Sequence, residues 1–211
     1  MLYEVELKYT GIDFAGLRAL LQYCSAQFSQ RHWERNIVFD TPQCDMRQKG
    51  QLLRLRSKEW AQTSGRSPQN VLTLKLPPQV EVPDDVKVWD ERETLVSDFD
   101  SMRSILEGLG YQPAFRYDKI REEWFCEGVT ICLDSLVFGD VVELEGEREA
   151  IFKVAALLKL PSDKASTATY YDLNREFRKS AGLPEDDNFY FSDEKTARSL
   201  LEPHGDDSRH I

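Results

Sequence analysis

The sequence predicts an α+β domain built on an antiparallel sheet of eight strands. Three observations lead there. Eight short stretches alternate apolar and polar residues with the period of a strand. Few stretches carry helical spacing. Polar loops and one two-residue turn signal separate the strand patterns, as hairpins require. A chain of 211 residues suits one large domain.

The first strand pattern covers 2–10, where Val5 and Leu7 alternate with Glu4, Glu6 and Lys8. Residues 13–28 then carry apolar positions at helical spacing behind Asp13, a plausible N-cap. Strand patterns follow at 34–40 and 51–58, the second with Arg54 and Arg56 opposite Leu53 and Leu55. After a polar loop, 70–76 places Lys75 opposite three leucines, and 88–96 follows a second loop. Helical spacing returns over 98–109 and stops at Gly110. The strand at 115–126 sets Lys119 and Arg121 on one face, and Glu127-Gly128 reads as a tight turn into 129–136. There Asp134 lies opposite Ile131 and Leu133, and in 139–146 Glu143 and Glu145 pair up. Helices are expected at 147–160 and 170–181, so the domain is expected to span 1–182. Residues 183–211 read as a loosely attached acidic tail with a short helix near 192–201.

At least six strands thus carry apolar residues on one face and formal charges on the other. A sheet with one solvated face explains the alternation. It does not explain why Arg, Lys, Glu and Asp dominate the polar face, grouped by sign within strands. A closed barrel with a charged interior does. Six basic residues there (Lys8, Arg54, Arg56, Lys75, Lys119, Arg121) suit a compact polyanion, because arginine forks match phosphate oxygens. Six carboxylates (Glu4, Glu6, Glu93, Asp134, Glu143, Glu145) would repel that anion unless divalent cations stood between them. Cations for phosphates and acids for metals make a phosphoryl-transfer site.

Composition narrows the rest. A net charge of -10 argues against a nucleic-acid surface. No apolar run of membrane length is visible, and the chain reads as cytoplasmic. Cys24, Cys44, Cys126 and Cys132 lack zinc-site spacing and read as free thiols. With only three histidines (His32, His204, His210), a Cys/His metal site is a poor fit, and His32 reads as a surface residue. Trp33, Trp60, Trp89 and Trp124 read as packing or loop residues, Tyr170 as helix packing, and Cys132 as a thiol filling the barrel.

The ordered motifs resemble the CYTH family, or triphosphate tunnel metalloenzymes, which groups class IV adenylate cyclases with thiamine and inorganic triphosphatases. ExExK is met by Glu4, Glu6 and Lys8. In order follow Val38-Phe39-Asp40-Thr41-Pro42, the RxR pair Arg54 and Arg56, Lys75, the KxR pair Lys119 and Arg121, Asp134, the ExE pair Glu143 and Glu145, and Thr169-Tyr170-Tyr171-Asp172-Leu173. The likeness covers about residues 1–178. It implies an eight-stranded antiparallel β tunnel barrel with helices packed outside, holding a triphosphate with Mg²⁺ or Mn²⁺. Lys8, Arg54, Arg56, Lys75, Lys119 and Arg121 would clamp phosphates. Glu4, Glu6, Glu93, Asp134, Glu143 and Glu145 would serve the metal, and Lys8 and Asp134 are the expected catalytic residues. Two stretches depart from the pattern. The fifth strand reads Glu91-Arg92-Glu93-Thr94-Leu95 where relatives often have R-x-E-x-E, and Leu136-Val137-Phe138-Gly139-Asp140 alters a Leu-Gly-aromatic order.

The resemblance leaves three functions. Hydrolysis of a triphosphate (tripolyphosphate, ATP or thiamine triphosphate) is the expected one, with water as nucleophile. The alternatives are cyclisation of ATP to cyclic AMP, and non-catalytic binding of polyphosphate or nucleotide. A homodimer is left open.

Overall fold

The computed structural model describes residues 3–202. His204 and His210 lie outside the described residues, as does Leu2 at the start of the first expected strand. The chain runs β1 (Tyr3–Thr10), α1 (Phe14–Tyr23), β2 (Gln27–Asp40), α2 (Asp45–Gln48), β3 (Leu52–Glu59), β4 (Gln69–Leu76) and β5 (Lys87–Val96). It continues with α3 (Phe99–Gly108), β6 (Gln112–Cys126), β7 (Val129–Leu136), β8 (Gly139–Glu145), α4 (Arg148–Leu157), β9 (Ala165–Ser166), α5 (Tyr170–Ser180) and α6 (Glu194–Leu201).

Eight strands close into an antiparallel barrel in the order β5-β4-β3-β2-β6-β7-β8-β1, with β1 returning to β5. β1 is the seam. Tyr3–Glu6 pairs with β5, Glu6–Thr10 pairs with β8 on the other edge, and Lys8 and Tyr9 pair with the two-residue β9. Closure leaves no long sheet edge unpaired.

The alternation read from the sequence sorts inside from outside. Leu7 and Tyr9 of β1 meet Leu17 and Leu21 of α1 and Ile151 and Val154 of α4 on the outer surface. Ile37, Phe39, Leu53 and Leu55 meet Leu106 of α3. Trp33 and Ile120 meet Ala197 and Leu201 of α6. Apolar burial, the main stabilising force, therefore lies between barrel and helices. The barrel interior is left for charges.

Local signals hold where they involve the backbone. The Asp13 side chain accepts from the Ala15 and Gly16 amides at 3.1 and 3.0 Å, capping α1 as expected. Glu127 and Gly128 both take positive φ, the conformation that joins two strands in a two-residue turn. The expected helix over 13–28 is shorter, because Ser25 turns left-handed and β2 begins at Gln27. β2 extends this far back because β6 supplies partners as far as Phe125.

The segment after 183 is not loosely attached within the described residues. The Phe189 amide donates to the Arg116 carbonyl at 3.0 Å, and the Asp118 amide donates to the Phe189 carbonyl at 3.2 Å. Phe189 is buried at 2% exposure, and α6 seats Ala197 and Leu201 on the barrel wall. Sequence composition showed the acidity of this segment but not the apolar anchors that dock it.

Docking covers Asp118, whose carboxyl is pushed up to about 6 by burial, against the pull of the Phe191 amide and Arg35. A carboxyl raised in the fold contributes stability at low pH and loses it as pH rises through about 6. Asp118→Asn is therefore expected to be more stable than the native chain at pH 7, by no more than about 3 kcal/mol. The gain should vanish below pH ~4, where the native carboxyl is protonated in both states. Urea denaturation at several pH values measures this, and a gain that did not depend on pH would refute the assignment.

Candidate active site

Strand geometry builds the site directly. Alternate side chains of a barrel strand share its interior, so each charged pair at i and i+2 points inward together. The interior is a tunnel cavity of about 640 Å³. Its lining includes Glu4, Glu6 and Lys8 of β1, Arg54 and Arg56 of β3, Lys75 of β4, Glu91 and Glu93 of β5, Lys119 and Arg121 of β6, and Glu143 and Glu145 of β8. All six cations predicted to clamp phosphate converge on this one cavity. Five of the six predicted carboxylates do so as well. Asp134 lies outside the lining, fully buried behind Lys119 and Arg121.

Register places opposite charges side by side. Lys8 stands across from Glu143, and Glu6 from Glu145. The Lys8 ammonium lies 2.6 Å from Glu6 and 2.7 Å from Glu143. Arg121 reaches Glu143 at 2.6 Å, Glu145 at 3.2 Å, and both Asp134 oxygens at 2.7 Å. On the opposite wall Lys75 contacts Glu4 and lies 3.0 Å from Glu91. Arg54 lies 3.7 and 3.5 Å from Glu91 and Glu93 and donates to the Tyr117 hydroxyl at 3.1 Å. Each clamp cation has a carboxylate within ion-pair distance.

These contacts set the protonation of the site. Burial would strip Lys8 of its charge, but Glu143 and Glu6 overcome it and raise the ammonium above its usual value. Burial alone would raise Glu143, yet Lys8 and Arg121 hold it well below the ordinary carboxylate range. Glu145 goes the other way, pushed well up by burial and by Glu143, despite Arg121. Glu4 is also raised, by burial and by its contact with Glu91, against Lys75. Glu145, beside Glu143, and Glu4, beside Glu91, thus favour retaining a proton. Like charges so close are what a divalent cation relieves. The oxygen donors suit Mg²⁺ or Mn²⁺. Cys132 brings a sulfur into the first pair: ligand atoms of Cys132, Glu143 and Glu145 lie within 4.8 Å of one another.

Asp134 has a different position from the other acids. Its oxygens accept from Arg121 in a bidentate fork, from Lys119 at 3.1 Å, and from the Tyr170 hydroxyl. The carboxylate orients two clamp cations from behind. Glu93 accepts from the Thr73 hydroxyl at 2.6 Å and stands beside Arg54, on the cation-rich wall.

The fifth strand resolves an ambiguity of the sequence. Glu91 and Glu93 face the cavity, while Arg92 is exposed on the outer side, 3.0 Å from Asp90. Leu95, in the place of a second inward acid, is 71% exposed and contributes nothing to the cavity.

Three contributors escaped the sequence reading. Glu34 is fully buried, 3.0 Å from Arg56 and 3.6 Å from Lys119. Asn36 accepts from Arg56 at 2.8 Å. Both lie on the inner face of the expected 34–40 strand, and carrying its period-two pattern further back places His32 there too. His32 is accordingly no surface residue: it is fully buried and 3.1 Å from Glu34, because β2 starts seven residues before the expected 34. Tyr117 shares the face of Lys119 and Arg121 two residues upstream. Tyr170, which stood in the Thr169–Leu173 stretch and read as helix packing, instead faces the barrel interior. It opens α5 and reaches back into the barrel, donating to Asp134 and, at 3.1 Å, to Glu143. Lys8 and Lys119 lie 5.0 and 4.7 Å from its ring centre.

Solved structures share this architecture. A candidate adenylate cyclase from Vibrio parahaemolyticus superposes with a TM-score of 0.69 at 23% identity, covering 82% of this chain and 97% of its own. The PH1819 protein of Pyrococcus horikoshii gives 0.67 at 26% identity, covering 82% and 98%. The Hippeastrum protein HpAC1, described as a candidate adenylyl cyclase with a dominant triphosphatase activity, gives 0.57 at 20% identity, covering 89% and 99%. No curated protein matches the sequence at a significant level. The CYTH domain family matches residues 2–178, the whole barrel together with most of α5, and the chain belongs to that family.

Proposed function

We propose that this CYTH chain is a divalent-metal-dependent triphosphatase that hydrolyses a triphosphate inside its tunnel. One observation carries the reading: six buried cations ring a single cavity, and four of them, Lys8, Arg54, Lys75 and Arg121, are paired with cavity-lining carboxylates that a polyanion could replace. A triphosphate offers the clamp the negative charge those carboxylates now supply. The released acids, Glu4, Glu6, Glu143 and Glu145, would hold the metal. When bound, the metal neutralises phosphate oxygens and polarises the phosphorus–oxygen bond under attack.

The chain's own groups account for the remainder. Arg54, Arg56 and Arg121 present forked donors to phosphate oxygens, and Lys8, Lys75 and Lys119 present point charges. Their partners behind the wall, Asp134 and Glu34, hold Arg121, Lys119 and Arg56 before substrate arrives. Such preorganised donors cost no rearrangement as charge develops in the transition state. Tyr170 keeps its proton, because burial and the acids Asp134 and Glu143 raise its hydroxyl well above the usual value. It donates a hydrogen bond and does not act as a base. Water is the nucleophile, and no side chain needs to form a covalent intermediate.

Lys75→Ala and Arg56→Ala are expected to lower kcat/KM about a hundredfold or more, as loss of one preorganised donor does. Circular dichroism should show the barrel intact. Unchanged turnover in both variants would remove the clamp. Incubation with tripolyphosphate, ATP and thiamine triphosphate should release orthophosphate, whereas pyrophosphate with cyclic AMP would reassign the chain as a cyclase.

Mg²⁺ or Mn²⁺ should raise the melting temperature, since a ligand at about 100 times its Kd adds about 2.7 kcal/mol. Glu4→Gln should shrink that shift and raise the metal concentration needed for half-maximal activity. An identical metal titration would take Glu4 out of the metal site.

A further inference from the structure

Six cations of the tunnel meet acids, and a seventh does not. Lys58 ends the inward row of β3, two residues beyond Arg56 and four beyond Arg54, so all three share one face of the strand. It lines the same cavity.

The acids around Lys58 are committed elsewhere. Register sets it opposite Glu34, but Glu34 is held by Arg56 at 3.0 Å, His32 at 3.1 Å and Lys119 at 3.6 Å. The next acid, Glu123, accepts from the Gln30 side chain at 2.6 Å and lies 3.8 Å from His32. Lys87, another cavity lysine without an acid, rests over the Trp89 ring at 4.8 Å. Among the described residues Lys58 has neither a carboxylate within ion-pair distance nor a ring beneath it.

The shortage shows in its protonation. Burial pulls the Lys58 ammonium below its usual value, helped by Arg56 and Arg121, and Glu34 and Glu123 do not make up the loss. Lys8 and Lys75, each in contact with acids, go up despite burial. A partly buried cation that lacks a counter-charge is stabilised by an anion brought from outside. Position indicates which part of the anion. The β2–β3 connection, with Thr41, Arg47 and Gln51 in the lining, marks one end of the cavity. Lys58 stands away from it, four residues of strand or about 13 Å beyond Arg54. It is the last cation of its row, and the last group of a phosphate chain is also the most charged, because only a terminal phosphoryl has a second ionisable oxygen.

We propose that Lys58 is a seventh phosphate-binding residue, which takes the terminal phosphoryl group of the triphosphate and so lets the site tell a triphosphate from a diphosphate. The inference rests on the triphosphatase reading above. The paired cations must exchange a carboxylate for a phosphate oxygen, whereas Lys58 gains a partner without giving one up. Its contribution therefore depends on the presence of the third phosphate.

The test uses whichever of tripolyphosphate, ATP and thiamine triphosphate the native protein turns over fastest with Mg²⁺. The competing inhibitor is the matching diphosphate: pyrophosphate, ADP or thiamine diphosphate. Lys58→Met keeps the stem and removes the charge. It should lower kcat/KM about tenfold or more, the scale of one charged hydrogen bond, and leave the inhibition constant of the diphosphate within about twofold. Lys58→Arg should restore most of the loss. If Lys58→Met does not fold, Lys58→Gln carries the same comparison. An unchanged kcat/KM in the folded variant would overturn the assignment and leave the triphosphatase reading standing. An equal loss for triphosphate and diphosphate would also overturn it, since Lys58 would then act only through the general field of the tunnel. A native protein that turned over none of the three compounds would overturn the triphosphatase reading, and the assignment of Lys58 with it.

Discussion

Mutual neutralisation of buried charge is the constraint on which this molecule depends. A barrel interior holding Lys8, Lys119, Arg121, Glu143 and Asp134 at near-zero exposure is tolerable only if every charge meets an opposite one. Desolvation of those groups is costly, and the ion pairs do little better than offset it. Net stability must come from elsewhere. It comes from the apolar outer face of the barrel, buried under α1, α3, α4 and α6. The fold therefore separates two tasks that most domains combine: stability outside, polar chemistry inside.

Barrel closure makes the neutralisation work. β1 alone supplies Glu4, Glu6 and Lys8, and it stands between β8 and β5. Its position brings Lys8 to Glu143 on one side and Glu4 to Lys75 and Glu91 on the other. An open sheet with the same sequence would hold the same charges in solvent, far apart at its edges. Only the seam turns them into a ring. The seam also brings Glu4 beside Glu91, while β8 itself sets Glu145 beside Glu143, and in each case burial and the neighbouring acid make Glu4 and Glu145 hold a proton more tightly than usual.

The wall behind the ring is as organised as the ring. Asp134 and Glu34 are more deeply buried than most of the groups that face the cavity, and between them they touch Arg56, Lys119 and Arg121. Their role is positional, since a guanidinium gripped from behind has its remaining donors aimed forward. Tyr170 links this rear layer to α5, so that the last helix of the family domain takes part in the tunnel. The segment after it stacks Phe189 against Tyr117 and Phe115 in the barrel wall.

Much of this was legible in the sequence because a strand's period of two is a local property. Alternation at Glu4–Lys8, Arg54–Arg56, Lys119–Arg121 and Glu143–Glu145 determined which side chains share a face. It also determined that the other face must be covered. The Asp13 cap and the Glu127-Gly128 turn were local too, and both hold. What the sequence could not determine was set by partners distant in the chain. β2 begins at Gln27 because β6 is long enough to pair with it, and this carries His32 inside. The inward reach of Tyr170 depends on where α5 docks, and the anchoring of Phe189 depends on the barrel backbone at Arg116 and Asp118. Periodicity decides the face of a side chain. Only tertiary contact decides what that face meets, because strand length, docking and charge pairing are set by the partner as much as by the element itself.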